Sequence, residues 1–143
     1  MVGAESEGQV PGSEDTTRRE HEQVAMISRK IQETDDVEIA VALLLEHRGM
    51  LAHHFSAEEA FDGLYDTVLE IAPHEEHRLS LLRAQHAVML ERIDKVVQGV
   101  ETGERPDSLL KEIKDIGSLL KKHEAAEGSL LLEVFNTDLG TCD

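Results

Sequence analysis

The chain has 143 residues, and its 14 Lys and Arg against 30 Asp and Glu give a formal net charge of −16. That field repels nucleic-acid phosphates and anionic lipid, which argues against nucleic-acid partners and membrane surfaces. The length suits one domain with its own core, and the single cysteine, Cys142, excludes an internal disulfide.

Residues 1–12 are Gly, Ser, Glu and Pro without periodicity, and are expected to form a flexible acidic tail rather than a signal peptide. No apolar run nears the roughly 20 residues of a bilayer span, so the expectation is a cytoplasmic protein. Trp is absent and aromatics are 3%, while Leu, Ala, Val and Ile sit among Glu, Lys and Arg, a mixture that favours helices over strands. A first helix is predicted from Ser13 or Asp15 to about Gln32, with Val24, Ala25, Ser28 and Ile31 on one face. Asp36 can cap a second, long helix over about 37–70, in which Gly63 is the one weak point. Pro73 fits the first turn of a third helix carrying Leu79, Leu82, Met89, Leu90, Ile93, Val96 and Val97. Gly99, Gly103 and Pro106 mark a loop, after which Asp107 or Ser108 caps a fourth helix with a stripe from Leu109 to Val134. The reading is an all-α protein, an antiparallel up-down-up-down four-helix bundle over 13–139 with a short tail at 140–143.

Eight histidines are the unusual feature of this composition. Stepping about 100° per residue places His21, His54, His86 and His123 on the apolar faces of the four helices, one histidine each. His53, His74 and His77 fall on other faces and are expected in solvent. Glu58 follows His54 by four residues and Glu127 follows His123 by four, so each pair shares a face. At about 1.5 Å of rise per residue, all six groups reach one half of the bundle. No Lys or Arg stands beside the two carboxylates as an ion-pair partner, and an unpaired buried carboxylate costs several kcal/mol. A metal cation removes that cost.

Four imidazoles and two carboxylates at one level describe a dinuclear site, with two nitrogens per ion and Glu58 and Glu127 bridging. Mixed imidazole and carboxylate ligation suits iron or manganese, and zinc stays open. The ferritin-like alternative needs Glu three residues before a histidine, and no histidine here has one. His47, seven residues before His54, and Tyr65 also face inward and are candidates for supporting the site; the alternatives are a hydrogen-bonded core histidine for His47 and, as the favoured reading, a packed core tyrosine for Tyr65.

The segments His54-Phe55-Ser56-Ala57-Glu58-Glu59, Leu82-Arg83-Ala84-Gln85-His86 and His123-Glu124-Ala125-Ala126-Glu127, preceded by His21, give the chain an order of motifs. In that order it resembles the hemerythrin-like, or HHE cation-binding, family over about residues 16–139. The resemblance implies a four-helix bundle holding two iron ions that bind dioxygen or respond to iron, nitric oxide, peroxide or redox state. Two departures stand out. Oxygen-carrying hemerythrins place two histidines four apart on the third helix, whereas Leu82 and Leu90 flank His86 at those offsets. Their fourth helix uses His-x-x-x-x-Asp, whereas here the carboxylate is Glu127 and Gly128 follows. One nitrogen ligand fewer leaves an extra open position, which favours sensing, metal handling or reaction with oxygen or peroxide over reversible carriage. Three functions follow as expectations: a di-iron binder or sensor of a small diatomic ligand, a small redox enzyme consuming peroxide or oxygen, and a helical adaptor with a structural metal. A protein partner is unassigned.

Overall fold

The computed structural model describes residues 18–136 with their side chains, so the tails expected over 1–12 and 140–143 lie outside the described residues. The described chain is all-α: α1 (Val2–Glu33), α2 (Val37–Glu59), α3 (Leu64–Ile71), a 3-10 turn (Pro73–Glu75), α4 (Glu76–Glu101) and α5 (Pro106–Cys142). No helix is long and apolar enough to cross a membrane among the described residues.

The caps follow from local chemistry. Asp36 holds extended backbone and its side chain accepts from the Glu38 and Ile39 amides at 2.9 and 3.3 Å, satisfying donors that the first turn leaves free. The end of α4 closes around Gly103, whose φ of +76° suits a residue without Cβ. There the Glu104 amide donates to the Gly99 carbonyl and the Gly103 amide to the Val100 carbonyl, the paired bonds of a left-handed helix stop. The fourth long helix does not start behind Asp107 or Ser108 as expected; it starts at Pro106, where a residue without N–H costs nothing.

The expected single helix over 37–70 is interrupted. α2 stops at Glu59, and Asp62 takes a left-handed φ of 63° before α3 begins. Gly63 allows the chain to fold back tightly. A Cβ there would meet the carbonyl oxygens of Ala57, Ala60 and Glu58, the last two at 2.8 and 2.9 Å. The turn also throws Phe61 outward to 89% exposure. Gly63→Ala should therefore destabilise the fold by at least about 1 kcal/mol, read as a lower urea midpoint; an unchanged midpoint would mean that the turn tolerates a side chain.

α5 packs against α1, α2, α3 and α4, and α2 packs against α1, α3 and α4. Ser28 donates to the Gly117 carbonyl at 2.8 Å, tying α1 to α5 inside the core. Two apolar clusters result. The larger joins Ile27, Ile31, Leu44, Leu51, Met89, Ile93, Ile113 and Leu120, and the smaller joins Val68, Leu79, Leu82, Leu130 and Val134. Each such buried side chain contributes about 1.5–3 kcal/mol. Along α4 the smaller cluster ends at Leu82 and the larger resumes at Met89, with His86 between them. Along α5 the order is Leu120, then His123 and Glu127, then Leu130. A buried polar level thus separates two apolar ones.

Candidate metal centre

The six residues singled out by helical spacing meet at that level. His54, Glu58, His86, His123 and Glu127 are buried, and His21 keeps 25% of its side chain exposed. Their ligand atoms fall into two sets within 4.8 Å, one of His21, His54, Glu58 and Glu127, the other of Glu58, His86, His123 and Glu127. Both carboxylates belong to both sets, and their oxygens divide between them. Glu58 Oε2 lies 2.9 Å from His21 Nε2 and 3.2 Å from His54 Nε2, while its Oε1 lies 3.1 Å from His86 Nε2. Glu127 Oε1 lies 3.0 Å from His21 Nε2, and its Oε2 is on the His123 side, 3.8 Å from Nε2.

The far nitrogens show which way these rings are poised. His54 Nδ1 meets Glu20 Oε1 at 2.8 Å, His86 Nδ1 meets Glu59 Oε2 at 2.6 Å, and His123 Nδ1 meets Gln85 Oε1 at 2.7 Å. Carboxylate and amide oxygens only accept, so each Nδ1 carries the proton and donates outward. With Nδ1 anchored outward, each Nε2 is the nitrogen turned to the centre, the one a metal would take. His86 Nε2 and His123 Nε2 approach each other to 3.1 Å there. His54 Nε2, Glu58 Oε1 and Glu127 Oε1 are buried and make no well-aligned hydrogen bond among the described residues, though each lies 3.0–3.2 Å from another group of the cluster. Such groups need positive charge among them, and a pair of cations fits the donor set.

The electrostatics are those of a metal-free cluster. Burial disfavours a charged His21, but the carboxylates of Glu127 and Glu58 outweigh it and push its pKa up to about 10. Burial likewise opposes an ionised Glu58, yet His21, His54 and His86 hold it well below the usual carboxylate range. Burial and the neighbouring His86 push His123 down to about 4, so its ring is neutral at neutral pH. Burial and the charge of Glu127 push Glu124 up to about 7, and its Oε2 is also unpartnered.

Of the two supporting candidates, the structure brings in only Tyr65, whose hydroxyl donates to Glu127 Oε2 at 2.7 Å. His47 is not gathered with the six. Its Nδ1 donates to the Leu43 carbonyl of its own helix at 2.9 Å, so it is hydrogen-bonded as the alternative reading expects, but half-buried rather than in the core. His53, His74 and His77 are exposed as expected.

Sequence reasoning passed over Glu20, Glu59, Gln85 and Glu124. The first three share a pattern: each is the immediate neighbour of a centre residue and reaches the histidine of the next long helix, from α1 to α2, α2 to α4 and α4 to α5. An acceptor beside an inward histidine or carboxylate was the available signal. Gln85→Leu should weaken metal binding by roughly 10–100-fold by freeing the His123 ring, whereas His77→Ala should leave it unchanged. Metal titration of the two variants checks both, and loss of binding in His77→Ala would contradict the placement.

Comparison with protein-family models, with curated proteins and with solved structures finds no match for this chain.

Proposed function

We propose that this chain is a hemerythrin-like protein whose six converging side chains hold two iron ions for a small diatomic ligand such as dioxygen or nitric oxide. In this reading the four long helices form an antiparallel up-down-up-down bundle, and His21, His54, Glu58, His86, His123 and Glu127 are the ligands. One observation carries it. Glu58 and Glu127 each turn one oxygen to the His21/His54 pair and the other to the His86/His123 pair, while three of the four rings are anchored from behind. A chance cluster of core histidines needs neither feature. Imidazole with carboxylate suits iron among the available metals, and the resemblance in motif order points the same way.

The iron pair supplies redox-active sites for the ligand. The chain's own groups orient the imidazoles, balance the cationic charge with two carboxylates and exclude bulk water. His21 is the one ring of the set with appreciable exposure among the described residues, so in this reading the ligand approaches beside it. Metal content, with optical spectra taken reduced and then in air, tests the reading. About two irons per chain and a spectrum that changes reversibly with oxygen support ligand binding. Irreversible oxidation assigns the centre to peroxide or oxygen turnover. A protein that takes up no metal leaves six core polar residues and overturns the proposal.

A further inference from the structure

The break between α2 and α3 brings the chain's one tyrosine to the centre. Tyr65 Oη lies 2.7 Å from Glu127 Oε2 and 3.2 Å from His86 Nε2, and both residues belong to the same four-residue set. A phenol has one proton for two acceptors. The shorter contact assigns it to Glu127. Oη also stands 3.2 Å from His86 Nε2, the nitrogen that this ring turns to the centre while its Nδ1 meets Glu59. The phenol oxygen thus stands among the ligand atoms of one set, within hydrogen-bond distance of two of them.

The surroundings of the ring agree. It lies nearly parallel to the His86 imidazole, at 14° and 5.7 Å between centroids, so its oxygen is held on that ring's metal-binding edge. On another side the Arg83 guanidinium stands 5.9 Å from the ring centroid. A cation over an aromatic face favours added negative charge on the ring.

Resting on the proposed function, we infer that Tyr65 is a seventh ligand, binding as phenolate the ion held by His86 and His123. On coordination the O–H bond breaks, an oxygen–metal bond forms and the proton leaves to solvent; no electron moves and no oxidant is needed. Phenolate is an established oxygen ligand for iron. The centre is then unequal. The His86/His123 ion carries the extra anionic ligand, and the diatomic ligand is directed to the His21/His54 ion on the more exposed side.

Since no other tyrosine exists in the chain, any phenolate-to-iron band must come from Tyr65. Purified metal-free protein is loaded anaerobically with ferrous iron, exposed to air, assayed for iron and examined by visible absorption and resonance Raman spectroscopy. The expected result is a visible charge-transfer band with enhanced tyrosine ring modes, lost in Tyr65→Phe while iron content is kept. If wild-type protein holds about two irons and shows no such band, Tyr65 is only a hydrogen-bond donor and the inference fails while the di-iron reading stands. If no iron binds, both fail. Should Tyr65→Phe lose its helical circular dichroism, ring-deuterated tyrosine in wild-type protein decides instead: the enhanced modes shift, or the inference is overturned.

Discussion

Glu127→Ala should lower bound metal from about two ions per chain to well below one. The reason is the division of its oxygens. Oε1 faces His21 in one half of the centre, and Oε2 faces His123 and Tyr65 in the other, so one truncation would remove a ligand from both ions of the proposed pair. His54→Ala makes the contrast, since it takes a ligand from one half alone and should leave the second ion weakly held rather than absent. Glu58→Ala should behave as Glu127→Ala does, because its Oε2 and Oε1 are divided in the same way. Breaking a buried charged network can itself cost about 3–5 kcal/mol, so Glu127→Gln belongs in the series. It preserves volume and an oxygen acceptor while removing the charge that offsets a cation. Elemental analysis of the folded variants reads the result, and full metal content in both Glu58→Ala and Glu127→Ala would overturn the centre.

How much of this centre the sequence revealed depends on how local each feature is. Helical periodicity is a property of a few turns, so counting by 100° located His21, His54, His86 and His123 on the inner faces, and four-residue spacing added Glu58 and Glu127. Periodicity gives a face but not a depth or a partner. His47 shares a face with His54, yet one level away it spends its Nδ1 proton on Leu43. Glu20, Glu59 and Gln85 lie off the apolar stripes, and what makes them matter is the helix each leans against, which only packing decides. The hardest feature to read was the turn over 60–63. Its cause is a close approach of Gly63 to three carbonyls and a positive φ at Asp62, and an apolar stripe that continues through it conceals both. On an unbroken helix, eleven residues would carry Tyr65 about 16 Å along the axis from His54. The turn instead brings its hydroxyl to Glu127.

Metal removal should lower the thermal midpoint by on the order of 10 °C at neutral pH, and the gap should widen as the pH rises. Ions bound only by the native state at about a thousand times their dissociation constant add roughly 4 kcal/mol, which for a domain of this size corresponds to a shift of that order. The pH dependence comes from what replaces the metal. In the metal-free cluster a proton on His21, between Glu58 and Glu127, supplies part of the missing positive charge, and it is held up to a pKa of about 10. An unfolded histidine gives up its proton near 6.5, so the native state binds the extra proton between those values. That contribution is complete below about 6.5 and is lost as the pH rises through 10, so the metal-free protein weakens over the interval. In the loaded protein His21 donates its lone pair to a cation and has no such proton to lose, so its midpoint should vary less. Metal also competes with that proton, and uptake should release acid and tighten with pH. Melts followed by circular dichroism at several pH values, with and without a chelator, measure the gap. Equal midpoints at every pH would mean that protons alone satisfy the cluster, and the six side chains would then be a buried hydrogen-bonded core.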